Sequence, residues 1–268
     1  MLRRTDLARL VLFAPLLVAL SLALFLRPGE ASAQVNVESL RTELKQKPRF
    51  LTFEGSVTGR LGNVQGVIAG ASIFGGVHFL DRHLLFLKAQ GDYAAFGGEA
   101  SVSKSFAHAR YTVALLPWLS GEAFAQIQQD EFQRLQLRQV DGIGPRFGLV
   151  QRSDIEVFYG TSYMLEYEVV SAEVGGPDLS GTLAHRWNNY LSLVYRFSPT
   201  ARFSTVIYLQ PRFDDFSDAR VLSDSSVIVE LVNPLKLRLG VIIRHDTKPP
   251  DRVLPTDFES KNSLAVTF

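Results

Sequence analysis

Residues 235–244 read Leu-Lys-Leu-Arg-Leu-Gly-Val-Ile-Ile-Arg. Leu235, Leu237, Leu239, Val241 and Ile243 hold the odd positions, while Lys236, Arg238 and Arg244 stand among the even ones. A repeat of two is the period of a β-strand, whose successive side chains leave on opposite faces. One face of this strand is aliphatic and the other cationic. Two settings accept such a strand. In a soluble sandwich the greasy face fills a core and the charges meet water. In a membrane barrel the greasy face meets acyl chains and the charges line an enclosed interior. Periodicity alone does not separate the two, so the rest of the chain has to.

The same alternation recurs on both sides of this stretch. Around 51–58, apolar or Gly residues hold odd positions and Thr, Glu and Ser the even ones. In 83–94, Leu85, Leu87 and Ala89 oppose Lys88, Gln90 and Asp92. In 154–167, Ile155, Val157, Tyr159, Tyr163, Leu165 and Tyr167 oppose Asp154, Glu156, Ser162 and Glu166. In 185–197, Trp187, Leu191, Leu193, Tyr195 and Phe197 oppose Arg186, Asn188, Ser192 and Arg196. Twelve such segments are predicted: 49–60, 65–76, 83–94, 104–115, 119–129, 134–149, 154–168, 185–197, 201–212, 220–232, 235–246 and 258–268. The faces of 65–76 are ambiguous, and spacing alone places a strand there. Short connections, such as Asn233-Pro234, tend to alternate with longer polar ones, such as 169–184. Short periplasmic turns and long outer loops produce that alternation. The stretches at Gly62-Asn63 and 130–133 are shorter than outer loops should be.

The two ends of the chain decide for the membrane. Arg3, Arg4 and Arg9 precede an apolar run from Leu10 to Leu26, and Ala31-Ser32-Ala33 forms a small-residue cleavage signature before Gln34. Residues 1–33 therefore read as an export signal, with an uncleaved anchor as the alternative. Setting them aside leaves 24 basic and 25 acidic residues, a net charge of −1 that asks for no nucleic acid. There is no cysteine, so an exported chain gains nothing from disulfides and has no Cys-ligated metal site. After the signal no apolar stretch is long enough for a spanning helix, so entry into a membrane requires a closed barrel. Leu264, Val266 and Phe268 alternate to a terminal aromatic. Barrel proteins commonly show their final strand to the outer-membrane assembly machinery in this form. Aromatics near strand ends, among them Tyr111, Trp187, Tyr195, Phe197 and Phe203, suit interfacial girdles.

The expected fold is all-β: an antiparallel up-and-down transmembrane β-barrel of about 12 strands over 49–268. It is preceded by a periplasmic segment at 34–48. Within that segment Asn36 can cap a short helix whose Val37, Leu40 and Leu44 share a stripe. Its expected place is against the barrel rim, with a plug as the alternative.

Several stretches also carry a resemblance. "QVNVESLR", "GSVTGRLGN", "LRQVDGIGPRF", "YGTSYMLEYE", "HRWNNYLSLVYRF" and the closing "RHDTKPPDRVLPTDFESKNSLAVTF" are the residues concerned. From Val35 to Phe268 the chain resembles an uncharacterised bacterial family of salt-stress-induced outer-membrane proteins, a domain of unknown function. The resemblance implies an outer-membrane barrel with a link to osmotic or acid stress. It implies no catalytic residue.

No motif for catalysis stands out. His185 lies near Ser180 and Asp178, which would suit a barrel hydrolase at the outer rim, but no nucleophile signature accompanies them. The Asp214-Asp215-Phe216-Ser217-Asp218 loop offers oxygens to a hard cation, or is simply a solvated turn. No cofactor and no metal are expected, and the chain is not expected to be an enzyme.

The charged interior is the informative set. The register turns inward, or to the rims, Arg60, Lys88, Arg110, Arg134, Arg138, Arg186, Arg196, Arg202, Arg212, Arg220, Lys236, Arg238, Arg244 and Lys261. Against them stand Glu54, Asp92, Glu122, Asp154, Glu156, Glu166, Asp224, Glu230 and Glu259, which leaves five positive charges in excess. Two readings follow: a salt-bridged structural interior, or a narrow passive pore with a weak anion bias. A barrel hydrolase and a soluble periplasmic binding barrel stand as alternatives. Outer-membrane lipid, the assembly machinery and small solutes or ions are the expected partners.

Overall fold

The computed structural model describes residues 41, 44, 47–61, 66–96, 100–131, 134–171, 181–249 and 254–268. The expected export signal and residues 34–40 lie outside them. Twelve strands follow in chain order: β1 (Arg49–Leu61), β2 (Gly66–Phe79), β3 (His83–Phe96), β4 (Ala100–Leu116), β5 (Leu119–Asp130) and β6 (Leu135–Gln151), then β7 (Ile155–Val170), β8 (Thr182–Ser198), β9 (Ala201–Pro211), β10 (Ala219–Val232), β11 (Leu235–Asp246) and β12 (Thr256–Thr267). Each pairs antiparallel with its chain neighbours, and β1 pairs with β12 to close a barrel. At that seam the Phe268 N–H donates to the Leu51 carbonyl at 2.8 Å, and the Leu51 N–H returns a bond at 3.1 Å. Closure leaves no strand edge, as spanning a bilayer requires.

The burial pattern separates the two settings that periodicity leaves open. In β1 the polar Thr52, Glu54, Ser56 and Thr58 are buried, whereas Phe53 and Val57 are 50% and 56% exposed. In β11 Arg244 is buried while Leu239 is 46% exposed. Polar groups are inside and aliphatics outside, the reverse of a soluble sandwich and the arrangement of a transmembrane barrel. Aromatic clusters sit at both ends. Trp118, Phe147 and Tyr159 stack near the β4–β5 and β6–β7 turns. Tyr163 packs on Phe213, and Trp187 on Phe216, beside the 212–218 loop at the opposite end.

One expectation needs correction. Strands β4 and β8 begin at Ala100 and Thr182, earlier than the alternation reaches, because their backbone ladders with β3 and β7 run on to Phe96 and Glu168. Of the expected helix only Arg41 and Leu44 are described. Arg41 and Leu44 are helical, and Leu44 is buried among Phe50, Phe74 and Phe86, which all point into the lumen.

Glycine makes room for the large inner rings. Phe50 lies on Gly76 and Phe124 on Gly142, each a cross-strand partner, and a Cβ on either glycine would stand 2.3 Å from a ring carbon. This ring-on-glycine packing is a known way for sheets to fill the space a glycine leaves.

Candidate functional site

Inside the barrel the charges gather in tiers. The tier nearer the β4–β5 turn centres on Glu122 of β5. Its carboxylate accepts from Arg41 of the helix and from the Tyr190 hydroxyl of β8, and from Thr112 Oγ1 at 3.1 Å. Arg110 and Arg146 stand at 3.6 and 3.9 Å. Arg110 also lies over the Phe124 and Tyr190 rings, at 5.3 and 5.6 Å from their centroids.

The second tier lies toward the 212–218 loop and centres on Glu166 of β7. Arg138 Nε and Arg186 Nε each donate to it at 2.8 Å, and Arg220 Nη1 at 2.7 Å. Arg220 reaches on to Glu168 and Asp246, both at 2.7 Å. Arg138 is 1% exposed and Glu166 2%, so neither meets bulk water and the network has to satisfy itself.

Between and beside these tiers, Lys104 bridges Asp130 and Glu259, at 3.5 and 3.4 Å, and Arg244 holds Glu259 at 2.8 Å. Arg238 pairs with Asp224 at 2.9 Å, Lys261 with Asp92 at 3.8 Å, and Arg196 with Glu156 at 3.4 Å. Lys88 sits over the Phe74 and Phe106 rings, 4.8 and 5.5 Å from their centroids. Glu54 is buried, within electrostatic reach of Arg238, Lys88 and Lys261.

The remaining residues singled out in the sequence lie further apart. Glu230 and Lys236 are half-buried register partners on β10 and β11, and Arg202 is half-buried opposite Arg196. Arg212 lies past the end of β9 and pairs with Asp214 and Asp218 at the rim. The side chain of Arg60 falls outside the described residues. Phe268 is exposed, and its backbone closes the seam.

Sequence reasoning missed five inner charges. Arg146 and Asp246 have the right parity in their strands, but Gly142 and Gly144 hide the inner face of β6, and Asp246 ends its segment. Lys104 opens its predicted segment, while Asp130 and Asp257 fall one residue beyond theirs. Their inclusion changes the balance. Among the described residues ten carboxylates and eight cationic groups are buried, and Lys88, Arg196 and Arg238 are half-buried.

The chemistry offered by this arrangement is charge pairing. His185 is on the outer face, bonded to the Tyr163 hydroxyl, and Ser180 and Asp178 lie outside the described residues. The acidic loop spends its oxygens on protein cations: Asp214 on Arg212, Asp215 on Lys248, and Asp218 on Arg186. The Arg212 hydrogen bond lowers the Asp214 carboxyl to about 2. Lys248 and Ser217 hold Asp215 well below the usual range as well. Among the described residues no group of His, Cys, Asp and Glu is set to hold a metal.

The family described as "Protein of unknown function, DUF481" matches residues 77–268, from the end of β2 through β12. The chain belongs to that family. No curated protein matches this DUF481 chain. Among solved structures, the NanC porin in a rhombohedral crystal form is similar over 80% of this chain and 98% of its own, with a TM-score of 0.52 at 9% identity. The KdgM porin is similar over 81% and 99%, with a TM-score of 0.47 at 8% identity. LpxR from Salmonella typhimurium is similar over 81% and 100%, with a TM-score of 0.47 at 6% identity. At these identities the likeness is one of fold alone.

Proposed function

We propose that the protein is an outer-membrane β-barrel of the cell envelope whose interior is structural at rest, with no standing pore. Bonds between strands that are not neighbours carry this reading. Tyr190 of β8 reaches Glu122 of β5, Arg220 of β10 reaches Glu166 of β7, and Lys104 of β4 reaches Glu259 of β12. Side chains that lined an open pore would lie along the wall beside their own neighbours. These cross the interior instead, and the side chains of Arg41 and Leu44 occupy part of what is left.

The exposed aliphatic band and the porin-like fold support placement in the outer membrane, with residues 1–33 removed on export. Lipid then covers the outer face, and the assembly machinery would take the chain by its last strand. The link to osmotic or acid stress is carried by the family resemblance, and protein level in cells shifted to high salt tests it.

The primary test is electrical. Purified protein is first shown to be folded by a gel mobility that changes on boiling, then placed in planar bilayers. Silence at neutral pH is the expected result, and steady stepwise conductance would overturn the closed reading. Mass spectrometry of the membrane-extracted chain checks for a start at Gln34.

A further inference from the structure

The end of the barrel where β1 begins and β12 stops carries the short turns, and they are not alike. At the β6–β7 and β8–β9 turns the exposed residues are Gln151, Arg152, Ser153 and Asp154, then Pro199 and Thr200. At the β2–β3 turn Leu80 is 76% exposed beside an exposed Phe79, and at the β4–β5 turn Leu116 and Trp118 stand exposed around Pro117. These two hairpins are adjacent, since β3 pairs with β4. The β10–β11 turn, with Leu231 and Val232 exposed, continues the apolar arc across the seam. One side of this rim is therefore greasy and the other polar.

Two features say what covers the greasy side. The first is continuity with the lipid-facing wall. Trp118 stacks on Phe147, which stacks on Tyr159, so the β4–β5 turn itself joins the aromatic girdle. Leu87 and Leu115 rise from the same two hairpins as exposed wall residues. The second feature is charge. Arg82 follows Leu80 by two residues, and Arg49 is the cross-strand partner of Val77, two residues before Phe79. Both are exposed, whereas Arg196, beside the polar β8–β9 turn, holds Glu156 at 3.4 Å. Apolar tips flanked by guanidiniums match a phospholipid, which offers acyl chains to the one and phosphate to the other.

The β2–β3 tip adds a backbone observation. Leu80 and Asp81 have φ of 49° and 55°. That left-handed conformation is unfavourable for a bulky side chain and easy for glycine or asparagine. A turn standing in water would be better served by either. Leucine gains there only where something apolar receives it.

We propose that this side of the rim is a phospholipid-anchoring patch, with Leu80, Leu116 and Trp118 set among the acyl chains of the nearer leaflet and Arg49 and Arg82 on its phosphates. The proposal rests on the outer-membrane reading above. Anchored so, the barrel leans toward its β2–β5 side.

The chain contains no cysteine, so a thiol introduced at one position reports on that position alone. Leu80→Cys, Leu116→Cys, Ser153→Cys and Leu239→Cys are each labelled with an environment-sensitive fluorophore, folded into phosphatidylcholine vesicles with brominated acyl chains, and shown to keep the heat-modifiable mobility. Labels at 80, 116 and 239 should lose most of their emission, and the label at 153 should keep it. Quenching at 239 alone would overturn the patch and leave the membrane barrel standing. Equal quenching at 80 and 153 would also overturn it, because a rim sunk evenly has no anchoring side. No quenching at 239 would overturn the outer-membrane reading itself. A label at 80 that is open to water in vesicles and shielded in native outer membranes would assign the patch to a protein partner and overturn the proposal.

The phosphate contact has its own readout. Brominated phosphatidylglycerol should quench the label at 80 more strongly than the same fraction of brominated phosphatidylcholine, and the pair Arg49→Gln and Arg82→Gln should abolish that preference. Equal quenching by the two lipids with both arginines in place would overturn the contact.

Discussion

The ring of Tyr190 lies over Gly160, its cross-strand partner, so closely that a Cβ at position 160 would stand 2.1 Å from a ring carbon. That placement lets the Tyr190 hydroxyl reach Glu122 three strands away. Gly160→Val should therefore push the ring off the wall, cost about 1–3 kcal/mol of overpacking strain, and break the bond to Glu122. The temperature at which the folded gel band converts to the unfolded one should fall. Gly55→Ala is the control, because nothing lies within 4 Å of a Cβ there, and it should leave the conversion unchanged.

Glu166 is the acceptor for three arginines, and Glu166→Gln removes the charge that satisfies all of them. Breaking a buried ion-pair network from one side costs about 3–5 kcal/mol. Urea titration of the barrel in detergent or vesicles should show a loss in that range. A change under 1 kcal/mol would mean that water already solvates this tier.

On the outer face the expected sign is reversed. Leu239 faces outward between Val227 and Asn262, near the middle of β11. Leu239→Arg should destabilise folding into vesicles by about 2–4 kcal/mol, the cost of a cation at the bilayer midplane. The same substitution in a soluble barrel would be nearly neutral, so the measurement also tests the membrane setting.

The loop at 212–218 should respond to acid. Hydrogen bonding from Arg212 lowers the folded Asp214 carboxyl from 3.8 to about 2, and Lys248 and Ser217 lower Asp215 too. Carboxyls lowered by folding stabilise the loop above their unfolded value, and that contribution is lost as pH falls through the folded one. Pepsin cleavage beside the exposed Phe213 and Phe216 should stay slow at pH 4 and rise as pH falls toward 2. Arg212→Ala should move the rise to higher pH.

The strands were legible because a two-residue repeat of Leu against Arg, as in 235–244, survives wherever a strand crosses the apolar band. Parity then placed Arg138, Glu166 and Arg244 on one face, and those residues are buried. What parity could not give was which charge meets which. The bonds from Lys104 to Glu259 and from Tyr190 to Glu122 join strands far apart in the barrel, and their geometry depends on closure and tilt rather than on local pattern. The burial of Leu44 among inner rings was not legible either. Nothing in Leu44 or Arg41 distinguishes a partner on a rim from one inside, and the glycines that clear space for the receiving rings act from another strand.

The hydroxyls of Thr52 and Thr267 meet at 2.9 Å across 215 positions of chain. Until those two strands find each other, every partly formed sheet carries two raw borders of unpaired amides, and each is an invitation to pair with a neighbouring molecule. Eleven hairpin-like steps can proceed locally, yet none of them seals the cylinder. The slowest and riskiest event in the protein's biogenesis is thus the joining of its first strand to its last, and crowding or delay at that moment would turn a folding chain into an aggregate.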